Sequence, residues 1–170
     1  DGLDEGPMML QKTCEIGPDE TLGDVYFKKL FPMGVEAMLE GLDLVKAGII
    51  IKHEQRLEDG SYESWFGKAA AEIDWLKPVA DVYNIIRAAN PAPGAWTMVD
   101  GIELKIYDSA RVEGNGTVGK VVSIDDDGVT VQGNGGRILI KRVRPAGGGK
   151  MPASEWAAAA GINSGTKLGS

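Results

Sequence analysis

The feature that most constrains this chain is a change of hydrophobic period across one stiff stretch, Asn90-Pro91-Ala92-Pro93-Gly94. Before it, Val79, Val82, Tyr83 and Ile86 recur at the spacing of one helix face, and Pro78 suits a first helical turn. After it, Ile102, Leu104 and Ile106 alternate with Glu103, Lys105 and Tyr107, the period of a half-buried strand. Val121–Ile124 and Val129–Val131 flank the turn Asp125-Asp126-Asp127-Gly128, and Ile138, Ile140 and Val143 mark one more strand. Four or five short antiparallel strands with Gly-rich turns point to a small β-barrel. Two prolines stiffen the junction and Gly94 lets it bend, so the stretch reads as a rigid elbow with Trp96 buried at the joint.

Upstream the pattern is helical. Thr21 is a good N-cap with Asp24 three residues on, and Val35, Met38, Leu39, Leu42 and Val45 share one face. Pro32 lies inside this run, where it removes an amide donor and clashes with the preceding turn. The spacing therefore predicts two helices, or one kinked helix, over 22–31 and 32–47, stopped by Gly48. Ile49-Ile50-Ile51 reads as a short strand or anchor, and Tyr62, Trp65 and Phe66 as apolar plugs for the polar connector after His53. Past Gly147-Gly148-Gly149, Ala153–Ala160 can form a short helix, and the last ten residues are expected to fray.

Charge is unevenly placed. Residues 1–70 hold 14 Asp/Glu against 7 Lys/Arg, which accounts for the whole net charge of -7. Residues 71–170 are neutral, so any grip on nucleic acid must come from a local basic face. One cysteine and one histidine exclude a disulfide framework and any multi-Cys or polyhistidine metal site. No apolar run approaches the roughly 20 residues of a membrane span, and no secretory signal is evident. No membrane contact is expected, and the expected compartment is the cytoplasm.

Few residues carry chemistry. Asp4 lies between glycines in a tight acidic loop with Asp1 and Glu5, a setting for acid–base work or simply a solvated loop. The Asp125–Gly128 turn lacks the ligand spacing of a calcium loop. Gly114, Gly116 and Gly119 and the Gly133–Gly136 run lack the Lys-Ser/Thr of a phosphate loop and read as turns. Cys14 and His53 read as a small apolar residue and a surface residue. Lys141-Arg142-Val143-Arg144 is a basic strand: alternation puts Lys141 and Val143 on one face, Arg142 and Arg144 on the other. With Arg137, and with Lys105 or Arg111, such a face suits phosphate; the competing reading is an edge charged against aggregation.

Four segments resemble the folate-dependent formyltransferases, the family of the methionyl-tRNA formyltransferases. Gly2-Leu3-Asp4-Glu5-Gly6-Pro7 is similar to their Gly-Leu-Asp-Thr-Gly loop, with Glu5 where Thr is usual. Tyr83–Asn90 followed by Pro93-Gly94-Ala95-Trp96-Thr97 looks like the start of their C-terminal domain, and Ile73-Asp74-Trp75 and Leu104–Asp108 fit as well. The resemblance also takes in the hydrolase domain of 10-formyltetrahydrofolate dehydrogenase and the sugar-nucleotide formyltransferases. Residues after Met151 match poorly and are expected to form a divergent tail.

The resemblance implies an α+β chain: the end of a Rossmann-like formyltransferase core with long helices, then a small OB-like antiparallel β-barrel. It divides the chain into a catalytic-domain remnant (1–48), a linker (49–70), a β-barrel domain (71–150) and a tail (151–170). It implies 10-formyltetrahydrofolate as co-substrate, no metal, and Asp4 as the catalytic Asp, with Gly2, Leu3 and Gly6 beside the folate. The family's catalytic Asn and His lie upstream of the Asp loop, where this chain has no counterpart, and His53 does not match. Formyl transfer to an amine needs oxyanion stabilisation as well as a carboxylate. The chain is therefore expected to be the C-terminal part of a longer enzyme, inactive without its N-terminal catalytic domain. Initiator methionyl-tRNA is the expected acceptor, touched by Arg142, Arg144, Arg137 and Lys141. Water, a sugar nucleotide, and a non-catalytic RNA-binding or structural module are the alternatives.

Overall fold

Thr21 starts the first helix, as its position predicts. In the computed structural model, which describes residues 4–169, the Thr21 hydroxyl accepts from the Asp24 N–H and the Asp24 carboxylate accepts from the Thr21 N–H, a reciprocal capping box. Lys28 pairs with the same carboxylate at 2.6 Å and, with the Thr21 bonds, holds Asp24 well below the usual carboxylate range. Helix α1 (Leu22–Val25) runs through a π-helical turn (Tyr26–Leu30) into α2 (Phe31–Lys46). Pro32 neither splits nor stops this helix. The Phe31 N–H reaches back five residues to the Tyr26 carbonyl, and the widened turn takes up the donor and the space that proline denies an α-helix.

The chain divides into two compact units, Asp1–Trp65 and Phe66–Ser170. In the first, Val25 is the one buried large apolar residue among those described. The face carrying Val35, Met38, Leu39, Leu42 and Val45 forms as predicted, yet all five are exposed. With Tyr26, Leu30 and Phe31, part of it lines an apolar groove of about 450 Å³. Ile49–Ile51 forms no strand, and Tyr62 and Trp65, 87% and 93% exposed, plug nothing. The expected end of a Rossmann-like core is not met either: the described part of this unit holds one isolated antiparallel bridge, Met8–His53, and no sheet.

The second unit is α+β. Helix α3 (Val79–Ala88) buries Val82, Tyr83 and Ile86, as the spacing required. Strands β1 (Ala95–Val99), β2 (Ile102–Val112), β3 (Val121–Asp125), β4 (Gly128–Gly133), β5 (Gly136–Pro145) and β6 (Met151–Pro152) make one antiparallel sheet, and α4 (Ala153–Ala160) closes the chain order. α3 lies on β2 and β5, and α4 on β5 and β4. Between them sits a core that includes Ile86, Leu104, Ile106, Val129, Val131, Ile138, Ile140 and Val143. At the elbow both X–Pro bonds are cis, and Gly94 has φ +85°; a Cβ there would stand 2.8 Å from the Tyr107 hydroxyl. Trp96 is not buried at the joint. Ala95, Thr97 and Val99 turn inward, which leaves Trp96 half-buried on the opposite face, its indole donating to the Lys68 carbonyl.

The barrel expectation is corrected. A barrel needs a ladder between its first and last strands, whereas the order here is β1-β2-β5-β4-β3 with β6 on β5, and among the described residues no ladder joins β3 to β1. The sheet stays open because the C-terminal segment runs between those two strands. Leu168 N–H donates to the Gly119 carbonyl, and Gly169 N–H to the Met98 carbonyl. The predicted fraying is therefore overturned: Leu168 is 1% exposed, and Gly169 lies against the Trp75 indole, which itself donates to Thr97 Oγ1 at 3.0 Å. Among the described residues no helix is long and apolar enough to cross a membrane.

Leu168→Ala is expected to lower stability by about 3 kcal/mol, read as a lower urea midpoint at unchanged m-value. A frayed end would leave the midpoint where it is.

Candidate functional site

Two places carry polar chemistry, one in each unit. In the first unit, Asp4 has a left-handed backbone (φ +57°) and an exposed side chain. Its loop is clamped by Gln55, whose Nε2 donates to the carbonyls of Asp4 (2.8 Å) and Gly6 (2.7 Å). Immediately beyond, Met8 and His53 exchange both backbone hydrogen bonds, each 2.8 Å. Among the described residues no side chain hydrogen-bonds or ion-pairs with the Asp4 carboxylate. The loop thus presents a carboxylate on a fixed backbone. Gly2 and Leu3 lie outside the described residues. Gln55 was not singled out in the sequence; the signal available was an amide, able to donate twice, between Glu54 and Arg56.

The second place is the sheet face that carries Trp96. Residues directly opposite on neighbouring antiparallel strands project to the same face. Trp96 opposes Lys105, and Lys105 opposes Arg144. Met151 opposes Val143, so the same antiparallel register brings Lys150, one residue before β6, opposite Arg144. Three cations therefore stand in one row across three strands, an arrangement that costs energy unless an anion meets it. Lys105 Nζ donates to the Pro93 carbonyl at 2.9 Å. Lys150 Nζ lies 3.7 Å from the centroid of the Tyr107 ring. Partial desolvation, and then the charges of Arg142 and Arg144, push the Lys150 ammonium below its ordinary value. Among the described residues Arg142, Arg144 and Lys150 have no carboxylate partner; Asp108 opposes Arg142 in the ladder without closing an ion pair.

The register explains why Lys141 is exposed beside Arg142. Opposite Val143 lies Ile106, opposite Arg142 lies Asp108, and opposite Ile140 lies Ser109, so Tyr107 and Lys141 are the extra residues of two compensating bulges. Simple alternation would bury Lys141 with Val143. The bulge instead leaves Lys141 and Arg142 both exposed and still buries Ile140 and Val143.

Arg137 is occupied elsewhere. Its guanidinium donates to Gln132 Oε1 (3.0 Å) and to the Asn115 carbonyl (3.1 Å). The buried Gln132 amide in turn donates to the carbonyls of Gly133 and Gly136, both at 2.8 Å. The pair holds the loop at Gly114, whose φ of +149° and close approach to Arg137 leave no room for a side chain. Arg111 stands over the Tyr83 ring, 5.3 Å from its centroid. Asp125–Gly128 is a hairpin turn in which Asp127 N–H donates to Asp125 Oδ1, and among the described residues no His/Cys/Asp/Glu group could hold a metal ion.

Residues 66–161 match the family model described as "Formyl transferase, C-terminal domain". The chain is 35% identical over 168 residues to a methionyl-tRNA formyltransferase of Geotalea daltonii, covering 99% of this chain and 54% of that protein. It is 33% identical over 168 residues to a cytosolic 10-formyltetrahydrofolate dehydrogenase of Xenopus laevis, covering 92% of this chain and 18% of the relative. The chain thus spans about half the length of the first relative and under a fifth of the second. Among solved structures, HypX from Aquifex aeolicus in complex with tetrahydrofolic acid superposes with a TM-score of 0.72 at 21% identity, over 92% of this chain and 28% of that one. A variant of the same protein superposes with a TM-score of 0.77 at 19% identity, over 98% and 30%. At that identity the superposition speaks for the fold.

Gln55→Ala is expected to loosen the Asp4 loop. Loss of two exposed hydrogen bonds, together ~1.4 kcal/mol, should speed hydrogen exchange at the Met8 and His53 amides about tenfold.

Proposed function

The chain belongs to the formyl transferase C-terminal domain family, and from that premise we propose that it is the C-terminal half of an enzyme that moves a formyl group from 10-formyltetrahydrofolate to the amino group of methionyl-tRNA. The observation that carries the acceptor is the row Lys105–Arg144–Lys150 with Arg142 beside it. Among the described residues Arg142, Arg144 and Lys150 lack carboxylate partners, and that lack suits phosphate oxygens. Arg137 and Lys141 stay at the margin of this reading, Arg137 because its donors are already taken.

In this reading the chain's catalytic contribution is Asp4. When bound, the folate donor supplies an activated formyl group. The Asp4 carboxylate orients the imidazole that the upstream half provides and accepts a proton as the amine becomes nucleophilic. Gln55 positions that carboxylate by fixing the two carbonyls around it. A lone carboxylate stabilises no oxyanion, so the chain alone is inactive. The upstream half is also the proposed cover for the exposed apolar face of α2, whose row of five apolar side chains is out of keeping with a solvated surface.

Two measurements test this. Formyl transfer from 10-formyltetrahydrofolate to methionyl-tRNA is expected to be absent with the chain alone. It should appear when the chain is fused to the upstream half of a matched methionyl-tRNA formyltransferase, and be lost again on Asp4→Asn. Transfer by the chain alone, or by the Asp4→Asn fusion, refutes the role given to Asp4. Release of formate without transfer to tRNA would favour water as acceptor, the reading that the dehydrogenase relatives support. For the basic face, Arg142→Gln/Arg144→Gln is expected to weaken tRNA binding and to reduce the slope of log K against log salt by about 2. An unchanged slope refutes the contact.

A further inference from the structure

Lys150 differs from the other cations near it. Lys68 is tied to the Glu103 carboxylate, and Lys105 is spent on the Pro93 carbonyl. Lys150 rests on a ring, exposed, at the end of the Gly147-Gly148-Gly149 run and opposite Arg144 in the β5–β6 register, with two guanidinium groups near it that have no carboxylate partner among the described residues. An ammonium in that company has no anion to hold its proton, and an anion drawn to the two guanidiniums arrives beside the amine.

We propose that Lys150 is an acylation site, and that its donor is a small acyl phosphate. The phosphoryl oxygens would be held by Arg142 and Arg144, which suit them by charge and by the planar fork of donors. The free amine of Lys150 then attacks the acyl carbon. A C–N bond forms, the C–O bond to phosphate breaks, inorganic phosphate leaves with the electron pair of that bond, and the amine's proton passes to water. The positive charge at position 150 is lost, so a cluster of cations becomes less attractive to any polyanion. The neighbouring charges also favour the reaction from the side of the nucleophile. Partial desolvation of the ammonium, and then the charges of the two arginines, lower the Lys150 pKa, which raises the fraction of free amine near neutral pH. The inference stands whatever the formyl acceptor is.

The test treats the full chain with acetyl phosphate and follows each lysine by peptide mass spectrometry. Lys150 is expected to acetylate several-fold faster than Lys77 and Lys120, which are also exposed but lack the arginines. Adding inorganic phosphate in excess should erase that margin by occupying the guanidiniums, with no change to the protein. Arg142→Gln/Arg144→Gln should erase it as well, and should cost less of the margin when a neutral N-hydroxysuccinimidyl ester is the acyl donor. A Lys150 rate no higher than that of Lys77 and Lys120 overturns the proposal. So does a margin that survives both phosphate competition and the double substitution.

Discussion

Strand β5 is the element on which the second unit depends. It pairs with β2, β4 and β6, and it puts Ile138, Ile140 and Val143 into the core with no exposure at all. Two of these residues are an even number apart and the third is out of phase, so a regular strand cannot bury all three. The extra residue at Lys141, matched by the extra residue at Tyr107 on β2, resolves the conflict. The same irregularity exposes Lys141 and Arg142 together and leaves the Tyr107 ring for Lys150 to cover, while the compensated register keeps Arg144 opposite Lys105. Burial of all three core residues and the exposure of Lys141 beside Arg142 are thus two consequences of one irregularity. Its cost in ladder hydrogen bonds is offset by apolar burial on three neighbouring strands.

The C-terminal segment plays a comparable part at the open side of the sheet. Trp75, Thr97, Gly119, Leu168 and Gly169 meet there, with the indole hydrogen-bonded to the threonine and the leucine fully enclosed. A backbone segment between β1 and β3 satisfies carbonyls at Met98 and Gly119 that would otherwise need another partner. The segment therefore prevents direct strand pairing and at the same time completes the core. Glycine at 169 is required because a side chain there would press on Trp75.

The first unit follows a different logic. Its helix is well capped and carries Pro32 without a break, yet its apolar face is not covered by the described residues of its own unit. Local hydrogen bonds, chiefly the capping box and the Gln55 clamp, hold its shape where burial does not. An exposed, rigidly held Asp4 and an uncovered apolar face are what the proposed function assigns to a partner half carrying the remaining catalytic groups.

Much of this was legible in the sequence. The period of three to four residues placed α3 and the α2 face, Thr21 with Asp24 announced the helix start, and alternation marked β2, β4 and β5. These signals depend on neighbours in the chain, where propensity and capping act directly. The family likeness rested on short segments that are local in the same sense. Asp100-Gly101 is a ready two-residue hairpin signal of the same local kind between β1 and β2. What the sequence could not reveal was register and closure. Whether six strands close into a barrel depends on whether the first and last can meet, and that is decided by a C-terminal segment some seventy residues from the β1 carbonyl it bonds. Likewise, Lys150 joins Arg142 and Arg144 only through the pairing of a two-residue strand with β5. The sequence determined which segments would be helix or strand, because those preferences are local. The tertiary structure decided which charges would become neighbours, because that follows from long-range pairing selected by burial of the core.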